Sequence, residues 1–116
     1  TIVTTADPAT SGPGSDPNTQ SNIGAEFNLF FNAISAGATA QTVTCGGSDK
    51  LVGTLGVTST VYNAFASVTG TVITLNATTT GGAARGSQIT LVPLAANLWS
   101  VNGVLVGSGT AATPFS

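Results

Sequence analysis

Histidine and methionine are missing from this 116-residue chain, and only 5% of its residues are charged. An ordinary globular domain carries about 25%. Without histidine, Ser-His-Asp and Cys-His nucleophilic sites are excluded, and so is every histidine-ligated metal site. The only basic side chains are Lys50 and Arg85. Tight nucleic-acid binding needs several phosphate contacts from such groups, so nucleic acid is not expected as a partner. An anionic membrane surface is not expected either, for the same reason. The lone cysteine, Cys45, excludes a disulfide framework within the chain and reads as a small packed side chain. No run approaches the ~18 apolar residues of a membrane span.

Large core residues are also scarce: five Phe, one Trp and one Tyr. A chain this short buries only about two-thirds of its unfolded surface. A thin core of Val, Ile and Leu, loosened by Gly and Thr, is marginal alone. Contact with other copies or with a partner supplies the missing burial. Surface charge of both signs is what keeps small proteins apart, and here it is nearly gone. The composition points away from an enzyme and toward a chain that works assembled.

The remaining chemistry is thin. A catalytic carboxylate pair has to come from Asp7, Asp16, Glu26 and Asp49. Two of these lie in a Pro-rich stretch unsuited to the positioning that catalysis needs. A Ser–Lys dyad has only Lys50, which follows Asp49 in the turn-like GGSDK and reads as half of an exposed, solvated ion pair. Thr1 resembles an N-terminal nucleophile in position alone, and a trimmed initiator Met explains it. The stretch TTTGGAARG (78–86) has no phosphate-loop spacing and reads as a loop. Arg85 within it is a candidate polar anchor to a partner carboxylate. Asn76-Ala77-Thr78 is a formal glycosylation triplet, of a kind that arises by chance in a threonine-rich chain. No catalytic residue, metal site or cofactor is assigned.

Three regions are expected. Residues 1–22 read as an extended N-terminal arm. Its DPATSGPGSDPNTQSN segment cannot bury enough apolar surface to offset chain entropy. The β-branched tip, with Ile2 and Val3, suits docking on a neighbouring subunit by strand addition. Residues 23–37 form a Phe-rich segment that fits either element. Ile23, Phe27, Phe30 and Ile34 have helical spacing, with Asn22 and Gly37 as caps, whereas Phe27, Leu29 and Phe31 alternate as a strand. The helix is slightly favoured.

Residues 38–116 form the β-domain. Candidate strands are Gln41–Cys45, Leu51–Leu55, Ser59–Val68, Thr71–Asn76, Gln88–Leu94, Leu98–Val101 and Val104–Gly107. Ile73 and Leu75, and again Ile89 and Leu91, alternate with polar residues, giving one buried face and one threonine-coated face. Asn102-Gly103 between apolar runs predicts a two-residue type I′ hairpin. Pro93 predicts an edge or a bulge. The fold class is all-β: a small antiparallel β-sandwich or barrel with an extended N-terminal arm and room for one short helix.

The last fifty residues carry a resemblance. A Gly-led strand of alternating Ile, Thr and Leu (Gly86 to Val92) precedes a Trp strand, Leu98-Trp99-Ser100-Val101-Asn102-Gly103, and a Thr/Gly-rich tail from Gly107 to Ser116. This pattern resembles the C-terminal half of small virion structural proteins of tailed bacteriophages. The resemblance implies a non-enzymatic capsid decoration or cement subunit on the exterior of the virion head. It implies as partners the major capsid protein and copies of the chain itself, as a homo-oligomer with a trimer favoured. The candidate assembly residues are Ile2, Val3, Phe27, Phe30, Phe31, Arg85, Trp99 and Phe115. Trp99 reads as core before interface, since aromatics serve both. Two alternatives stand beside this reading: a secreted surface-filament subunit assembled by strand donation, and a phage tail or fibre carbohydrate-binding module. A secretion leader before Thr1 favours the filament, and an initiator Met favours the virion.

Overall fold

The computed structural model describes residues 2–4, 24–32 and 40–116. They form eight strands: β1 (Ile2–Thr4), β2 (Phe27–Phe31), β3 (Gln41–Cys45), β4 (Lys50–Thr58), β5 (Tyr62–Gly70), β6 (Val72–Leu75), β7 (Ser87–Ala95) and β8 (Leu98–Val106). No helix occurs among the described residues. One sheet has the order β1-β3-β6, the other β2-β7-β8-β4-β5.

Period-2 patterning sets which residues point inward. In β7 the buried positions are Ser87, Ile89, Leu91 and Pro93, while Gln88, Thr90, Val92 and Leu94 turn outward. In β6 the buried positions are Ile73 and Leu75. Val43, Ile73 and Leu75 of the smaller sheet join Leu51, Leu55, Val57, Ile89, Leu91, Trp99, Val101 and Leu105 of the larger one in a single core cluster. Each fully buried aliphatic side chain contributes roughly 1.5–3 kcal/mol. The all-β sandwich expected from the sequence is therefore present.

The sheets are mixed rather than purely antiparallel. β4 and β8 pair in parallel from Lys50↔Leu98 to Thr58↔Val106, and β1 pairs in parallel with β3. The reason is topological. The chain leaves β4 through a hairpin to β5, crosses to the other sheet for β6, and returns as the β7–β8 hairpin. β8 then enters on the free side of β4 and runs in the same direction. A parallel pair needs such a crossover.

The Asn102-Gly103 hairpin does not form. β8 runs through both residues without a break, with Asn102 opposite Thr90 and Gly103 opposite Ile89. Glycine serves another need here: a β-carbon at Gly103 would collide with the Gln88 carbonyl of β7. The actual β7–β8 turn is Ala96-Asn97, with Asn97 at φ 57, a left-handed conformation that asparagine tolerates. Pro93 does mark an irregularity, since the β7–β8 register shifts between Pro93 and Ala95.

The Phe-rich segment is a strand where described. β2 pairs antiparallel with β7 from Phe27↔Leu91 to Phe31↔Ser87. The strand wins because it places Leu29 and Phe31 on the core and fills the open edge of β7. The proposed caps Asn22 and Gly37, with Ile23 and Ile34, lie outside the described residues, as does most of the arm. Its tip, β1, adds to β3 of its own chain, with Ile2↔Val43 and Val3↔Thr44.

Candidate interaction surface

The strand registers lay out the outer face of the five-stranded sheet row by row. One row crosses it as Phe30, Gln88, Val104, Gly56 and Ala64. The next runs Asn28, Thr90, Asn102, Thr54 and Ala66. On the other flank, Thr58 lies between Val106 and Tyr62. Apart from Lys50, at the start of β4, no strand residue of this face carries a charge. Glu26 sits just before β2 at the same end, where its Oε1 accepts from Asn28 Nδ2 at 3.0 Å.

Large apolar groups stand free on this face. Phe30 is 72% exposed, Val68 74% and Tyr62 58%. Leu94 and Val104 are exposed as well. Tyr62 lies across Gly56, where a β-carbon would run into the phenol ring. An aromatic ring covering a strand glycine compensates for the missing side chain. An uncharged sheet face with exposed aromatics marks an interaction surface.

The assembly residues expected from the sequence fall in several separate places. Phe30 stands on the outer face. Phe27 is at the rim, its ring centroid 5.8 Å from that of Trp99. Phe31 and Trp99 are buried in the core and unavailable to a partner. Arg85 is exposed in the loop before β7. Ile2 and Val3 lie in β1, which pairs with β3 of the same chain.

Phe115, the last of the candidate assembly residues, belongs to a tail held by its own chain. It packs half-buried against the core and bridges Ile73. Around it the Thr74 N–H donates to the Pro114 carbonyl at 2.8 Å, and the Val72 and Ser116 N–H groups donate to each other's carbonyls at 3.0 Å. The tail satisfies the free edge of β6, whose backbone groups otherwise lack partners.

Asp49 is also not the solvated residue expected. It is 6% exposed, and its Oδ2 accepts the indole N–H of Trp99 at 2.8 Å. Lys50 beside it points to solvent. The Asn76 triplet builds a loop: Asn76 Oδ1 accepts from the Thr78 and Thr80 N–H groups at 2.9 and 3.0 Å, and Asn76 Nδ2 donates to Thr79 Oγ1 at 3.0 Å.

Two shallow grooves flank β5 where it meets the C-terminal stretch. One, of about 260 Å³, is lined by Ser59–Val61, Asn63 and 109–111. The other, of about 330 Å³, is lined by 66–70, Thr113, Phe115 and Ser116. Neither contains an ionisable side chain. Among the described residues, no three His, Cys, Asp or Glu side chains come together, and no helix is long and apolar enough to cross a membrane.

Sequence reasoning missed Tyr62, Val68, Leu94 and Val104 as surface groups. Their signal lay in the outward positions of successive period-2 runs, read together. No family model, curated protein or solved structure matches this chain.

Proposed function

We propose that the protein is a non-enzymatic structural subunit of a virion, acting as a decoration or cement protein on the outside of a tailed-phage head. The observation that carries this reading is the outer face of the larger sheet, uncharged but for Lys50 and bearing exposed Phe30, Tyr62 and Val68. Such a face approaches a partner without desolvating ions, a cost of several kcal/mol per ion. The likeness of residues 86–116 to small virion proteins points to the shell as the setting. The partners are the major capsid protein and further copies of this chain. Many weak contacts in a lattice become stable attachment through effective concentration.

The test is cryo-EM and mass spectrometry of purified particles from the lysate that produces this chain. The expected result is a fixed ratio to the major shell protein and β-sandwich density on the shell exterior. A chain found only outside the particles overturns the proposal.

One observation favours a second reading, a filament subunit linked by strand donation. β1 occupies the edge of β3 as an added strand, the position a donated strand would take. A secretion leader and extracellular fibres lacking shell protein would decide for it.

A further inference from the structure

We infer that the outer face of the five-stranded sheet is self-complementary and seats a second copy of this chain face to face, about a two-fold axis along β8. The inference rests on the assembly reading above and names its surface and symmetry.

The size fits. Four strands of nine residues and β2 of five, spaced by about 4.8 Å and rising about 3.4 Å per residue, give a face of roughly 670 Å². Pairing two copies removes on the order of 1,400 Å² from solvent, within the range of stable specific interfaces.

The relief fits as well. The row Phe30–Gln88–Val104–Gly56–Ala64 runs from a bulky residue at one edge to a small one at the other, with β8 in the middle. A two-fold axis along β8 exchanges β2 with β5 and β7 with β4. It sets Phe30 of each copy over Ala64 of the other and Val104 over Val104. An isologous contact requires this reciprocity.

The charges agree. Glu26 and Lys50 sit at the same end of the face, on opposite sides of β8. The same axis brings Lys50 of one copy to within a strand of Glu26 of the other, and no like charges meet. The edge of β5 competes less well, because residues 109–116 already line grooves along it.

The symmetry also replaces a trimer with a dimer. Sedimentation velocity and light scattering of the full chain are expected to give the dimer mass. Phe30→Lys and Ala64→Glu, both at exposed positions, are each expected to weaken self-association about 100-fold with unchanged circular dichroism. Mixed in equal amounts, the two variants are expected to recover the dimer. The introduced lysine then meets the introduced glutamate at one contact, and the native Phe30–Ala64 pair remains at the other. A monomeric or trimeric wild type overturns the inference. So do variants that still dimerise alone, or a mixture that stays monomeric. Incorporation into particles is scored separately, so that a wild type that is monomeric in solution yet binds particles removes this interface while leaving the virion reading intact.

Discussion

The indole N–H of Trp99 donates across 2.8 Å to Oδ2 of Asp49, and both side chains are buried. The β4–β8 register makes the pairing possible by setting Leu51 beside Trp99, two residues after Asp49. Asp49→Ala leaves the indole nitrogen without its acceptor and is expected to cost about 1.5–3 kcal/mol. Asp49→Asn keeps an acceptor and is expected to cost less than half as much. Trp99→Phe strips the carboxylate of its donor and empties core volume, costing about 3 kcal/mol or more. Urea denaturation of the three variants ranks them. Equal costs for the alanine and asparagine changes would count against the hydrogen bond.

Position 102–103 separates a strand interior from a turn. Gly103→Ala places a β-carbon on the Gln88 carbonyl and is expected to cost more than about 3 kcal/mol, beyond the usual range for a single substitution. Asn102→Thr is expected to be tolerated within about 0.5 kcal/mol, because threonine suits a strand. In a type I′ turn the threonine would be the costly change. Denaturant midpoints decide between the two.

Removing Pro114–Ser116 frees the edge of β6. Amide exchange at Thr71, Val72 and Thr74 is expected to accelerate, since their N–H groups donate to Ser116 and Pro114. Phe115→Ala alone is expected to cost about 1–2 kcal/mol, less than a fully buried phenylalanine. Unchanged protection at those three amides would show that the tail is not held there.

Association through an uncharged face is nearly independent of simple salt. Raising sodium chloride from about 0.05 M to about 0.5 M is expected to shift the self-association constant less than threefold. Ammonium sulfate is expected to strengthen it, as exclusion from apolar surface requires. Analytical ultracentrifugation across the series measures both. A tenfold loss in sodium chloride would point to an ionic interface.

The strands at Gln41–Cys45 and Ser87–Ala95 (expected as Gln88–Leu94) were legible in sequence because alternation and β-branching coincide there, whereas Tyr62–Gly70, which alternates poorly, was expected three residues early as Ser59–Val68. The Asn102-Gly103 pair misled because glycine meets two unrelated needs, positive φ in a turn and close approach between strands. Only the neighbouring backbone of β7 tells them apart. Phe27–Phe31 satisfied both periods, and the vacant edge of β7 decided it. Asp49 and Phe115 took their roles from partners distant in the chain, Trp99 and Ile73. No local pattern encodes such pairings. The candidate surface was half legible: the lack of charge was plain from composition, but its concentration on one face required the registers.

The parallel pairing of β4 with β8 bears on how the chain reaches this state. It joins residues about 50 positions apart, at the centre of the larger sheet. The hairpins β4–β5 and β7–β8 are local and close within microseconds, whereas docking one beside the other waits on a long loop closure. On a ribosome, β8 emerges after β4, β5 and β7, so the two halves of the sheet stay apart until it has been made. Through that interval the β4–β5 hairpin, charged only at Lys50, stands with an open edge. Expression rate and temperature, more than final stability, then govern the yield of folded protein against aggregate.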